Sequence, residues 1–587
     1  MDMTSTTRKD LIEAAMGNRP LDLAILNASL VNVFTCEVYA ADIGVLGDRI
    51  ALATPAGAYD LEAASQVDAT GLWAAPGFVD THLHIESTMV TPPAYAAGVL
   101  PKGTTTSIID PHEIGNVLGK EGIRYMIDSS KGLPLSVFVC IPSCVPAVEG
   151  AETAGAYFGP EDVAEMLTWP RVIGVAEVMD FQGVIHRDPR MLGIVQAGLE
   201  ADMVVQGHSP LLKGREANAY TAAGIHNDHE LRDGAEGLEK LRLGLLPLLK
   251  VSSHGNHVPN ILPQMLEARH VDIALCTDDI EPADLLENGH MDRVVREMIS
   301  HGVEPARAIR WATWIGAQHY GLRDRGAIAP GYRADFVLLD SLEDVSVRDV
   351  YADGELVVAA GKMTVEIPLD TLEPPGGNTV HLNPLTTRDL EPRTPIENGS
   401  VQVNTMHLLP SRLTELRTVA AEVRDGRLVL SSIAEDACFL AVIPRHGQAH
   451  SPGLSILTGL ELNQGAVATT VAHDSHNLMV AGRNTEDMLV AVKALEASHG
   501  GIAFASGGQI IGQVDLPIAG LMSGKSVPDL AVDMAELNDV AVEFGITHRA
   551  KALATTGLAL TVIPEVSASD TAGLLDVASQ ESIPMFP

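Results

Sequence analysis

The residues of this 587-residue chain with the clearest chemical potential lie in Pro76-Gly77-Phe78-Val79-Asp80-Thr81-His82-Leu83-His84. In a strand, residues i and i+2 point to one face, so His82 and His84 present two imidazoles together. Paired imidazoles are ready ligands for a divalent metal ion. Further ligand-type residues end later apolar runs: Glu177 in VIGVAE, His208 in MVVQGH, His229 in GIHNDHE and Asp278 in IALCTD. Each alone reads as a cap or an ion-pair partner. Together, six nitrogen and oxygen donors at strand ends read as a metal centre. Two of them have close alternatives, His226 for His229 and the adjacent, oppositely directed Asp279 for Asp278.

These residues need a scaffold that brings strand ends together. Between Phe78 and Asp279 apolar runs alternate with amphipathic stretches such as EGIRYMIDSSKG and PEDVAEMLTWP. The runs are GFVDTHLHI, TTTSIID, LSVFVCI, VIGVAEVM, DMVVQGH, AAGIHNDHE, LPLLKVSS and DIALCTDD. Strand–helix alternation implies a parallel sheet, and eight repeats predict a closed (β/α)8 TIM barrel, whose strand C-termini build the active site. The expected fold is therefore α/β. Residues 1–19 read as an N-terminal helical extension, 20–75 as the first part of a small β-sandwich, and 76–325 as the catalytic barrel. Residues 326–370 return to β texture and rejoin the small domain, which makes it discontinuous. Residues 371–400, rich in Pro, Asn, Gly and Thr, read as a linker, and 401–587 as a C-terminal α/β domain.

Composition narrows the function. Lys and Arg number 39 against 76 Asp and Glu, giving a net charge of −37. Nucleic-acid backbones and anionic membranes are disfavoured as partners, while a small neutral substrate meets no such barrier. Five cysteines in 587 residues do not make a disulfide framework, and Cys140 and Cys144 read as buried thiols. The N-terminal stretch lacks a signal-peptide core and no apolar run approaches the ~20 residues of a membrane helix, so the expectation is a cytoplasmic protein. A homo-oligomer, in the simplest case a dimer, is the usual state for such a chain.

The set His-x-His, Glu, His, His, Asp beside a discontinuous β domain resembles the amidohydrolase superfamily. The stretches PGFVDTHLHIESTM, DPHEIGNVLG, SCVPAVEG, GREANAYTAAGI, LCTDD, VAHDSHN and DLPIAGLMS are similar to the bacterial adenine deaminase family, over nearly the whole chain. The resemblance implies two divalent metal ions, with Mn or Fe expected and Zn an option. One would be held by His82, His84 and Asp278, the other by His208 and His229. Glu177 would bridge them, where many relatives carry a carboxylated lysine. His229 is preferred to His226 on the matching segment, and Asp278 to Asp279. The implied reaction is adenine plus water giving hypoxanthine and ammonia. A divalent ion lowers the pKa of bound water towards ~7, which makes attack on the purine C6 feasible at neutral pH. Asp278 would act as proton shuttle. The other deaminase architecture carries a P-C-x-x-C signature, which this sequence lacks.

Three further groups are candidates. Asp110-Pro111-His112-Glu113 offers Glu113 as a second catalytic carboxylate, or a capped loop in which Asp110 starts a helix. Glu86 and Ser87 lie close to the His pair in sequence, and His473, Asp474 and His476 form a polar cluster in the last domain. These five are expected to contact substrate. The alternative activity is hydrolysis of a cyclic amide such as a hydantoin or dihydropyrimidine. A scaffold without catalysis conflicts with the complete ligand set.

Overall fold

The computed structural model describes residues 6–369, 372–562 and 565–587. Its centre is a ring of eight parallel strands. They are β1 (Phe78–Leu83), β2 (Thr104–Ile109), β3 (Ser136–Ile141), β4 (Val172–Val178), β5 (Val204–Gly207), β6 (Asn227–Asp228), β7 (Leu246–Lys250) and β8 (Ala274–Cys276). Strands β1 to β5 pair in sequence order, as do β6 to β8. The ring closes where Asp278 N–H donates to the His82 carbonyl at 3.0 Å, beside a parallel bridge from Leu83 to Asp278. At the other seam, His226 N–H donates to the Val205 carbonyl at 3.0 Å. A Cβ on Gly207 would stand 2.3 Å from the Asn227 carbonyl oxygen, so β5 approaches β6 this closely only with glycine there.

The strands are short and apolar because both faces are covered, one by the barrel interior and one by helices. All of β1, β2 and β8 is buried. Helices His112–Ser129, Pro160–Met166, Pro189–Glu200, Gly214–Ala222, Gly234–Arg242 and Val258–Met265 alternate with the strands. Trp311, at the π-helical turn after β8, is fully buried, as packing against the barrel requires.

Residues 21–76 and 336–363 form one nine-stranded sheet. The expected sandwich is thus a single hydrogen-bonded sheet, joined by the antiparallel pairing of Trp73–Pro76 with Phe336–Ser341. Leu30, Ile43 and Ile50 from its first part share a core with Phe336, Leu338 and Tyr351 from its second. The N-terminal helix spans Arg8–Ala15, capped by Thr7, and packs on this sheet through Ala14. Residues 1–5 of the expected extension lie outside the described residues.

The C-terminal unit is a second nine-stranded sheet flanked by helices Thr485–Ala497 and Val527–Glu543. Residues 372–400 are no free linker. Val380 and Leu390 are buried in this unit's core, because isolated apolar residues without periodicity still seek apolar contact. The unit docks on the barrel: Ser523 N–H donates to the Met89 carbonyl at 2.8 Å, and Asn477 Nδ2 to the Thr153 carbonyl at 2.8 Å. Among the described residues no helix is long and apolar enough to cross a membrane.

Candidate metal centre and active site

His82 lies in β1, His84 just past it, Glu177 near the end of β4, and His208, His229 and Asp278 within two residues of the ends of β5, β6 and β8. All six are buried and converge at one end of the barrel. Asp278 Oδ1 stands 3.5 Å from His82 Nε2 and 3.3 Å from His84 Nε2. Glu177 divides its oxygens. Oε1 faces His84 Nε2 at 3.5 Å, while Oε2 meets His229 Nε2 at 3.2 Å and His208 Nδ1 in direct contact. Of the two alternatives, His226 turns away and accepts from Val205 N–H, and Asp279 accepts from Ser87 Oγ.

The donor chemistry fits metal ions. Gln206 Nε2 donates to Tyr320, so its Oε1 is left to accept from His82 Nδ1 at 2.9 Å. The Asp110 carbonyl can only accept, so His84 donates to it from Nδ1 at 2.9 Å. Both rings therefore have Nδ1 engaged and turn Nε2 into the site. His82 Nε2, His208 Nε2 and His229 Nδ1 are buried without any hydrogen-bond partner. Imidazoles oriented by a partner on the far nitrogen are the usual metal-binding arrangement.

The electrostatics follow from burial and close pairing. Burial alone would raise Asp278, but Lys250, His82 and His84 hold it well below the carboxylate range. Glu177 is likewise held low against burial by His208 and His229. His229 falls to about 4 through burial and the neighbouring His82. Asp278 has φ 59°, the left-handed region that Asp tolerates better than most residues. Such backbone strain concentrates at functional sites.

A cavity of about 300 Å³ opens above these residues. Its floor includes His84, Glu177, His208, Lys250, Asp278 and Asp279, and its cover includes Arg412, Leu413, His473 and Asp474 from the C-terminal unit. Glu86, Ser87, Glu113 and His476, expected at the substrate, stand behind its wall. Glu86 is turned by the 3-10 helix Ile85–Thr88 and accepts from Ile114 N–H at 3.2 Å. Burial and the charge of Glu113 push its carboxyl up to about 8. Glu113 Oε1 accepts from Ser87 Oγ at 3.0 Å, and its Oε2 faces His476 Nε2 at 3.5 Å. His476 Nδ1 in turn accepts from Ala472 N–H. Ser87 Oγ, within reach of both Glu113 Oε1 and Asp279 Oδ1, ties this layer to the cavity wall.

Lys250, Glu230, Gln206 and His254 were not singled out from the sequence, and in Asp110-Pro111-His112-Glu113 it is His112, not the preferred Glu113, that lines the cavity. Lys250 Nζ donates to Asp278 Oδ2 at 2.7 Å and also contacts Glu230. Gln206 precedes His208 by two residues, and the same period-2 logic that paired His82 with His84 was available to find it. Gln206→Leu should keep the fold and weaken metal affinity by about 10- to 100-fold, the usual cost of losing a partner that orients a ligand. Chelator competition measures this. Unchanged affinity would mean that Gln206 does not orient His82.

Ligand-type side chains gather at the strand C-termini of a (β/α)8 barrel, and residues 73–357, which contain them, match the Amidohydrolase family. Residues 411–581 match the Adenine deaminase C-terminal domain. The chain is 40% identical over 570 residues to the adenine deaminase of Nitratidesulfovibrio vulgaris, covering 97% of each. It is 38% identical over 575 residues to that of Moorella thermoacetica, covering 97% of this chain and 96% of that one. Adenine deaminase 2 of Agrobacterium fabrum is 40% identical over 539 residues, covering 91% and 88%. The chain belongs to the adenine deaminase family.

Proposed function

We propose that this chain is a metal-dependent adenine deaminase, converting adenine and water to hypoxanthine and ammonia. The observation that carries the reading is the joining of two parts: a ligand-lined barrel mouth, and a C-terminal domain of the adenine deaminase type that covers it with Arg412, Leu413, His473 and Asp474. His82, His84 and Asp278 would hold one ion and His208 and His229 a second, with a Glu177 oxygen available to each side. These nitrogen and oxygen donors suit Mn or Fe, with Zn also acceptable.

The ions, when bound, supply Lewis acidity that makes water acidic enough to attack C6 at neutral pH. The chain supplies the rest. Asp278, to whose Oδ2 Lys250 donates, takes the proton of the attacking water and passes it to the ring or the leaving amine. Gln206 and the Asp110 carbonyl keep His82 and His84 in the tautomer that faces the site. His473 and Asp474 border the purine, and the C-terminal cover excludes bulk water.

The test is to measure ammonia release from adenine and adenosine beside ring opening of a hydantoin and dihydrouracil. Adenine is expected to give the highest kcat/KM of the four. Faster hydantoin or dihydrouracil hydrolysis would replace the deaminase reading with a cyclic-amide hydrolase. Comparable values for adenine and adenosine would contradict a base-sized pocket.

A further inference from the structure

One cluster beside the cavity has a composition unlike the six-residue centre. His112 begins the helix after β2, Cys144 lies in the loop after β3, and Asp474 lies in the loop that the C-terminal unit extends over the barrel. They are only 3%, 1% and 2% exposed. One donor atom from each lies within 4.8 Å of the other two.

The details favour an ion over hydrogen bonds. His112 Nδ1 faces Asp110 Oδ2 at 3.2 Å and Glu177 Oε1 at 3.6 Å, so that side of the ring is engaged. That Nε2 points at Asp474 Oδ1 across 3.5 Å and has no hydrogen-bond partner. Asp474 Oδ2 is also buried and unpartnered. Unpaired buried polar atoms are costly and call for a partner. A separation of 3.5 Å is too long for a hydrogen bond. It is close to the roughly 3.4 Å between two ligands of a tetrahedral ion with bonds near 2.1 Å. Among the described residues, the ion-pair partners of Asp474 are the imidazoles of His112 and His473, with no Lys or Arg. The charge of Asp474 also reaches Glu152, whose carboxyl burial and that charge push up to about 8.

We propose that His112 Nε2, Cys144 Sγ and an Asp474 carboxylate oxygen form a third cation site, which adjoins the six-residue centre through the contact of His112 with Glu177, for a divalent ion of the zinc class. A thiolate among the ligands selects a softer metal than the His and carboxylate set beside it. On binding, the Cys144 S–H bond breaks, a sulfur–metal bond forms, and the proton passes to solvent. His112 and Asp474 both line the cavity, so the fourth position opens towards substrate or water. Two ligands come from the barrel and one from the C-terminal unit, so the ion clamps the cover onto the mouth.

Cobalt(II) substitution of the full-length protein tests this. None of the six residues of the main centre is a cysteine, so a thiolate-to-cobalt charge-transfer band in the near ultraviolet reports the third site alone. The wild-type protein is expected to show that band. Cys144→Ser should abolish it and bind one cobalt fewer per chain, while Cys438→Ser, in the C-terminal sheet, should keep it. A wild-type spectrum without the band overturns the proposal, as does a Cys144→Ser protein with the band and cobalt count unchanged. Should Cys144→Ser fail to fold, Asp474→Asn decides: the band must shift or weaken, and an unaltered band overturns the proposal. The outcome is independent of the deaminase reading. Ammonia release without the band removes only the third site, and the band without ammonia release removes only the activity.

Discussion

Asp278→Asn is expected to lower kcat for adenine by at least about 100-fold, the lower end for a group that moves a proton in the transition state. An amide keeps the shape of the side chain and can still accept from Lys250, but it cannot take a proton from water. The neutral side chain also loses the pairing with Lys250 that holds the acid ionised. The thermal midpoint should change little against the loss in turnover, since Lys250 retains Glu230 as a partner. The check is a kcat comparison with metal content measured on the same samples. Near wild-type turnover would show that Asp278 is not the shuttle and would bring forward Asp279, which also lines the cavity.

Glu177→Gln should have a comparable effect by another route. Its two oxygens face different partners, His84 on one side and His208 with His229 on the other. A carboxylate divided in this way can serve two ions, and an amide offers only one neutral oxygen. The variant is expected to bind one metal ion fewer per chain than the wild type. Its kcat/KM should fall by more than the about 10- to 100-fold typical of partners that do not touch the metal. Metal analysis beside ammonia release measures both. An unchanged metal count with retained activity would sink the bridging role and leave a one-metal centre.

Much of this site was legible in the sequence because strand geometry is simple. His82 and His84 share a face by period 2, and strand ends in a barrel converge whatever the helices between them do. The eight apolar runs between Phe78 and Asp279 correspond one for one to β1 through β8. What was not legible depends on side-chain direction off the strands. Glu86 and Glu113 sit beside the right motifs, yet each lies in the first turn of a helical segment that rotates it behind the wall. His112, one residue before Glu113, is the one that reaches the cavity. His473 and Asp474 reach the mouth, while His476, two residues on, folds back onto Ala472. Lys250 was hidden for an electrostatic reason. A cation beside a metal centre is counter-intuitive until Asp278 and Glu230 are seen to flank it. Val380 and Leu390 show the same limit in the fold, since burial of single residues leaves no periodic trace.

As proposed, the barrel centre deaminates adenine only when its ligands hold metal. The most direct measurement strips the protein with a chelator, reloads it with Mn, and follows hypoxanthine and ammonia from adenine at each stage. Loss of activity on stripping, recovery on reloading, and equal amounts of the two products are expected. Undiminished turnover in the stripped protein, or reloaded protein that releases no ammonia from adenine, would contradict the proposal.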